Sequence, residues 1–284
     1  MISAKKLTYT YAGTQSPAIR DLDFDIQPGE IFGFLGPSGA GKSTTQKILI
    51  RLLQGYSGEV TLLDQPLNQW GYDLYERIGV SFELPNHYSK LTGFENLKYF
   101  GSLYAAGFTD PAALLARVGL EDDGATLVSQ YSKGMKNRLN VARSLLHNPQ
   151  LLFLDEPTSG LDPINSRRIR ALIKEEQAQG KTIFLTTHDM SVADELCDRV
   201  AFIVDGQISL IDSPKELKLR YGTPEVRLEY KEKEANRHQD FPLEGLADNQ
   251  DFLSLLRSAQ VRTLHSREAT LESIFIQVTG TSLQ

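Results

Sequence analysis

Apolar and polar positions alternate from the start of the chain. Within residues 1 to 30, Leu22, Phe24 and Ile26 fall on one side and Asp21, Asp23 and Asp25 on the other, the period of a half-buried strand. Pro28-Gly29 then turns the chain into the unbroken apolar run Ile31-Phe32-Gly33-Phe34-Leu35, which predicts a buried strand. Past residue 42 the spacing of Ile48, Leu49, Leu52 and Leu53 predicts a helix with one buried face. Arg77 to Phe82 predicts another strand, after which the periodicity becomes helical. Thr92 and Glu95 fit a capping box opening a helix through Tyr104, and Asp110-Pro111 fits the N-cap and first residue of the next. A helical subdomain is expected over about 85–148, with Tyr88, Phe94, Tyr99, Phe100 and Tyr104 mostly in its core, the alternative being a docking surface for a partner.

Leu151-Leu152-Phe153-Leu154 is a fully apolar run ending in Asp155-Glu156, the form of a central parallel strand that delivers carboxylates at its C-terminal edge. Ser159-Gly160-Leu161-Asp162-Pro163 predicts a turn into a helix capped by Asp162 and ending near Gly180. Lys181 to Thr187 predicts a β-branched strand with His188 at its end, and Asp205-Gly206 predicts a hairpin between Val200–Val204 and Gln207–Ile211. Ser213-Pro214-Lys215-Glu216 opens a helix that Gly222 can close, which places a domain boundary there. The pattern restarts in 223–284 with a strand at Val226–Tyr230, a polar loop at about 231–248 expected to be mobile, a helix at Asp251–Ser258, a strand at Val261–Leu264 and a last helix burying Leu271, Ile274, Phe275 and Val278.

Composition narrows the classes. A net charge of −6, with no dense Lys/Arg cluster in 284 residues, gives no reason to expect nucleic acid as a partner. The single cysteine, Cys197, excludes an intramolecular disulfide framework and reads as a small buried residue in a reducing compartment. Met1 to Lys6 lack the apolar core of a secretion signal, and no apolar run approaches the ~18 residues of a membrane span, so a soluble or peripheral chain is expected.

Gly36-Pro37-Ser38-Gly39-Ala40-Gly41-Lys42-Ser43-Thr44 completes a phosphate-loop pattern between the predicted strand and helix. Gly36, Gly39 and Gly41 are expected to clear the approach of a triphosphate to backbone N–H groups. Lys42 is placed to reach the β- and γ-phosphates, and Ser43 to ligate Mg²⁺ at the positive end of the helix. Asp155 would hold the Mg²⁺ and Glu156 would polarise the attacking water, with His188 at the γ-phosphate. The fold expected is α/β: a phosphate-loop ATPase core in 1–222 with N-terminal antiparallel strands and the helical subdomain, and a small α+β appendage in 223–284.

Over about residues 1–215 the chain resembles the ATP-binding subunit of ATP-binding-cassette transporters, with Tyr131-Ser132-Lys133-Gly134-Met135 in the place of the family's signature L-S-G-G-Q. The resemblance implies that Ser132 and Gly134 bind a γ-phosphate on the opposite subunit, so that two such chains, or this one and a homologue, sandwich two ATP molecules. It further implies that Tyr11, more than Tyr9, stacks on adenine, that Ser159 to Asp162 cross between subunits, and that His188 is the γ-phosphate switch. Glu83 stands where the family usually has glutamine, keeping a ligand for Mg²⁺ but adding negative charge beside phosphate. Lys133, Tyr131 and Met135 also vary the signature. The stretch Glu268 to Gly280 is similar to the endings of exporter subunits. A separate multispanning permease, at the cytoplasmic face of the cell membrane, is the implied partner, with export as the favoured direction and import left open. Relatives that act on ribosomes or DNA commonly carry two cassettes or long insertions, whereas this chain has one phosphate loop.

Overall fold

The structure, a computed structural model, describes residues 1–222, 224–232, 235–267 and 269–281. Residues 233 and 234 of the predicted loop, and Glu268 at the start of the exporter-like ending, lie outside them. The described residues divide into two compact units, Met1–Ser213 and Pro214–Gly280.

In the first unit the alternating N-terminal residues form β1 (Ile2–Tyr9) and β2 (Ile19–Ile26), which pair antiparallel; after β3 (Ile31–Leu35) and α1 (Lys42–Leu49), β4 (Ser57–Leu62) and β5 (Gln65–Pro66) complete a sheet of order β2-β1-β4-β5. The chain continues through β6 (Ile78–Ser81), α2 (Gly93–Gly101), α3 (Pro111–Arg117), α4 (Lys133–Ser144), β7 (Leu151–Asp155), α5 (Pro163–Ala178), β8 (Thr182–Thr187), α6 (Met190–Leu196), β9 (Arg199–Val204) and β10 (Gln207–Asp212). The second sheet has the order β10-β9-β3-β8-β7-β6, parallel except for the β9–β10 hairpin, whose turn residues Asp205 and Gly206 both have positive φ. A chain of rings joins the two sheets: Phe24 lies 6.0 Å from Phe32 and 5.7 Å from Phe34, Phe34 lies 5.5 Å from Phe184, and Phe184 lies 5.7 Å from Phe153. All five rings are buried, each contributing roughly 1.5–3 kcal/mol through burial.

The helical subdomain packs α2, α3 and α4 together over Leu97, Leu114, Leu115, Val118 and Leu139. Its capping box is formed: Glu95 N donates to Thr92 Oγ1 at 3.1 Å and Thr92 N to Glu95 Oε2 at 2.9 Å. The helix stops at Gly101 rather than Tyr104, because the chain folds back so closely there that a Cβ on Gly101 would meet the Phe108 ring. The aromatic residues depart from expectation. Tyr88, Phe94 and Tyr99 are exposed and Phe100 and Tyr104 half-buried, with Tyr88 packed edge-on to Tyr99 at 5.0 Å and Arg143 over Phe100 at 4.6 Å. They form a surface cluster; aliphatic side chains fill the helix contacts. Leu52 is likewise exposed, because α1 ends at Leu49 and the next residues turn out of its register.

The second unit contains α7 (Pro214–Tyr221), β11 (Glu225–Glu232), β12 (Ala235–Pro242), α8 (Gln250–Ser258), β13 (Gln260–Arg267) and α9 (Leu271–Thr279). β12 corrects the expected mobile loop. Its polar residues pair along β11 from Glu232↔Ala235 to Glu225↔Pro242, anchored by Phe241 in the core and by Arg227 in a two-pronged ion pair with Asp240. Phe241 and Phe252 meet at 5.2 Å over Val226, Leu228 and Tyr230, and α9 buries Leu271, Ile274 and Phe275. Val278 of the predicted face is only half-buried.

His87 ties the segment after β6 to α4, its Nε2 lying 3.0 Å from Lys136 O. Burial lowers its pKa from 6.5 to about 4, so between those values the unfolded chain binds the extra proton. The stability contributed by neutral His87 is therefore complete above pH 6.5 and lost as pH falls toward 4. Urea midpoints measured across that window should fall more steeply for the native chain than for His87→Gln, whose amide keeps a donor but does not titrate.

Candidate nucleotide site

Three parallel strands end together. Leu35 of β3 pairs with Thr187 of β8, and Asp155 of β7 with Thr186, so the residues that follow each strand emerge along one edge of the sheet, where open α/β sheets bind ligands. β3 delivers the glycine-rich loop, β7 delivers Asp155 and Glu156, and β8 delivers His188. A cleft of about 340 Å³ at this edge is lined by Ser38, Gly39, Gly41, Lys42, Ser43, Thr44, Glu83, Asp155, Glu156 and His188.

The loop is held by its own lysine: Lys42 Nζ donates to Gly36 O at 2.6 Å and to Pro37 O at 2.9 Å. Burial lowers the Lys42 pKa, and the charges of Glu156, Asp155 and Glu83 oppose that shift. An ammonium ringed by carbonyl oxygens in a cleft with backbone N–H groups is arranged to accept an anion. The glycines divide by role more than the motif implies. Gly39, at φ +81, has no atom within 4 Å of a Cβ position and borders the cleft. A Cβ on Gly41, at φ +107, would instead meet Ile19 Cγ2 at 2.6 Å, and Gly36 lies against the Ile203 carbonyl. Those two are required by the packing of the loop on β2 and β9, rather than only by clearance toward phosphate. Ala40 is buried, and its carbonyl accepts from Gly206 N at 3.1 Å.

Asp155 and Glu156 are both 8% exposed. Asp155 Oδ1 accepts from the Thr186 hydroxyl and the carboxylate also accepts from the Glu83 N–H; burial raises its pKa against both bonds, with the nearby Glu83 charge adding to the rise. Glu156 has a left-handed backbone, φ +49, and its Oε1 accepts from His188 N at 2.8 Å and lies 2.7 Å from His188 Nδ1, while Oε2 accepts from Thr187 Oγ1 at 3.2 Å. A buried carboxylate fixed in this way is aimed, with little freedom to rotate. Ser43, Asp155 and Glu83 offer only oxygen donors, the set that suits Mg²⁺. Among the described residues no group of three or more His, Cys, Asp or Glu side chains could hold a metal.

Tyr11 sits at the rim, 36% exposed, its hydroxyl 3.1 Å from Thr44 Oγ1 and its ring packed edge-on against Tyr9 at 5.0 Å. Ser132 and Gly134 do not line the cleft. Ser132 caps α4 by accepting from Met135 N at 3.2 Å, and Gly134 lies against the 160–161 turn. Sequence reasoning missed the residues that brace these groups. Thr186 and Thr187 hold the two carboxylates, signalled only as hydroxyls at a strand end facing Asp155-Glu156. Asn140 donates to Ser81 Oγ at 3.0 Å and Phe82 O at 2.7 Å, fixing the approach to Glu83, and Asn137 donates to Ser159 O at 2.7 Å. Both asparagines lie in a helix whose sequence carries no mark of the role.

Both parts of the chain are similar to known proteins. Residues 19–159 match the family described as ABC transporter, and residues 225–268 match the fluoroquinolone efflux ABC transporter C-terminal domain. A Mycobacterium tuberculosis protein named fluoroquinolones export ATP-binding protein is 57% identical over 284 residues, covering 100% of this chain and 94% of that one. The Nod factor export ATP-binding protein I of Burkholderia lata is 34% identical over 288 residues, covering 94% of this chain and 93% of that one. Among solved structures, the dimeric post-hydrolysis state of the ATP-binding cassette MJ0796 bound to ADP and Pi is similar at a TM-score of 0.69 and 28% identity, over 75% of this chain and 98% of that one. The chain belongs to the ABC transporter family, as its ATP-binding, ATP-hydrolysing cassette.

Proposed function

We propose that the chain energises the export of small amphipathic antibiotics of the fluoroquinolone class through a separate multispanning permease, working as a dimer at the cytoplasmic face of the membrane. The observation that carries the catalytic part of this reading is the convergence of Lys42, Asp155, Glu156 and His188 on one cleft from three strand ends. Similarity to export subunits along the whole chain, and to a fluoroquinolone efflux domain in its last part, supports the direction and the cargo class. Among the described residues no helix is long and apolar enough to cross a membrane, so the path for cargo is assigned to the permease.

In this reading Gly36 to Thr44 wrap the phosphates, Lys42 leaves its carbonyl partners for the β- and γ-phosphates, and Tyr11 stacks on adenine. Ser43, Asp155 and Glu83 hold Mg²⁺, which when bound neutralises phosphate charge. Glu156 takes a proton from the attacking water and His188 contacts the γ-phosphate. Ser132 and Gly134, at the start of α4, serve the nucleotide of the partner cassette, identical or homologous. A largely apolar groove of about 570 Å³ lined by Leu52, Tyr72, Val80, Phe82, Phe100 and Leu103 adjoins the exposed aromatic cluster and is the surface assigned to the permease. Residues 223–284 are assigned as an accessory domain.

Lys42→Ala should weaken Mg-ATP binding by about 10- to 100-fold, the loss of one or two charge-assisted hydrogen bonds, as measured by calorimetry. Glu156→Gln should hydrolyse ATP at under about 1% of the native rate, because it removes the general base, and should accumulate as an ATP-bound dimer in light scattering. Persistence as a monomer at saturating Mg-ATP contradicts the dimer scheme. Cells carrying Glu156→Gln in place of the native chain should retain more fluoroquinolone than native cells; equal retention removes the cargo assignment and leaves the ATPase.

A further inference from the structure

Asn137 lies on α4 one turn beyond Gly134, only 6% exposed and outside the cleft. Its Nδ2 donates to Ser159 O at 2.7 Å, and Ser159 N in turn donates to Glu156 O at 3.0 Å. Two hydrogen bonds thus run from the helix that Ser132 caps to the backbone of the carboxylate at the cleft. The segment between is short, and Glu156 at φ +49 occupies a backbone region that persists only where its surroundings enforce it. A second contact runs beside the first: a Cβ on Gly134 would stand 3.3 Å from Leu161 Cδ2 and 3.4 Å from Gly160 O, and the Lys133 stem lies over Gly160. The first turn of α4 and residues 159–161 therefore pack as one body.

The other half of the amide has no such use. Asn137 Oδ1 is buried with no hydrogen-bond partner, which makes asparagine a costly residue for this position if filling space were its task. Leucine has the same branched skeleton of heavy atoms and would leave no acceptor unsatisfied. What asparagine supplies is the single donated bond to Ser159.

We propose that Asn137 is a positioning residue that couples the signature turn of α4 to Glu156 of the same chain, so that phosphate engaged at Ser132 and Gly134 orients the base acting on the other nucleotide. The proposal rests on the two-chain reading above. In that arrangement each chain contributes α4 to one site and Glu156 to the other, and the Asn137–Ser159–Glu156 connection is the covalently short path between them. A ligand can act on a distant group only through an element whose two arrangements it binds unequally, and a body that carries both the phosphate contact and the turn holding Glu156 is such an element. Coupling of this kind is reciprocal in binding, so loss of the link should make the two sites independent.

The test is the dependence of ATPase rate on Mg-ATP concentration for the full-length native chain, Asn137→Leu, Asn137→Asp and Asn137→Gln, with thermal unfolding recorded for each. Asn137→Asp keeps the shape but replaces the donor, and carries the test if the leucine variant fails to fold. The native chain and Asn137→Gln should show a Hill coefficient above 1. The leucine and aspartate variants should fall to 1 with kcat lowered about tenfold, the size of one lost hydrogen bond, and KM within about twofold. A purely structural role would lower the unfolding temperature and leave the Hill coefficient unchanged. Native cooperativity in the folded leucine or aspartate variant overturns the proposal, as does a Hill coefficient of 1 in a native chain that dimerises. A Glu156→Gln variant that stays monomeric in Mg-ATP overturns the two-chain reading instead, so the two failures are distinguished.

Discussion

Parallel pairing of β3, β8 and β7 is the constraint from which the site follows. Because the three strands run in the same direction and in register, a phosphate loop at residue 36, a carboxylate pair at residue 155 and a histidine at residue 188 leave the sheet within one cleft, although more than a hundred residues separate the first from the second. The register is fixed by strands apolar on both faces, since Phe32, Phe34, Phe153 and Phe184 are all buried and a slipped strand would break the ring contacts among them. The antiparallel sheet covers these strands, and Gly41 allows β2 to press against the loop from behind. A shift of β2 would therefore be felt at Lys42 directly.

The cleft sets one ammonium, Lys42, against three carboxylates. Lys42 stands among carbonyl oxygens, with Asp155, Glu156 and Glu83 close enough to influence its proton affinity. Burial holds the Asp155 pKa up while Thr186 and the Glu83 N–H hold it down, so Asp155 is a carboxyl that gains by meeting a cation. Glu83 is the third of these carboxylates, and its charge adds to the rise in the Asp155 pKa. The same economy governs Glu156, whose two oxygens are committed to His188 and Thr187.

Legibility from the sequence followed physical range. The β3 strand, the phosphate loop, Asp155-Glu156 and the Asp205-Gly206 hairpin rest on local period and turn chemistry, and the structure has the corresponding elements at those places. β12 was not legible because its residues are polar and exposed. Only pairing with β11, through Arg227 and Asp240, makes Ala235–Pro242 a strand, and that pairing is a property of two segments together. Tyr88 and Tyr99 failed as core residues for a related reason: helical spacing marks a face, and which face meets the neighbouring helices is decided by Leu97, Leu114 and Leu139. Asn137 and Gly36 show the limit within the site itself, since an amide donor to Ser159 and a close approach to Ile203 depend on contacts that no spacing rule contains.

In the proposed dimer, one chain's phosphate loop and a partner's signature turn close on the same nucleotide. Ser38 and Lys133 are both exposed, and Cys197 is buried, so Ser38→Cys and Lys133→Cys introduced together in Glu156→Gln give a direct measure of that closure by oxidative cross-linking. The account predicts a disulfide-linked dimer that forms with Mg-ATP and is absent with Mg-ADP or without nucleotide. Absence of cross-linking at saturating Mg-ATP, or cross-linking that ignores nucleotide, would contradict it.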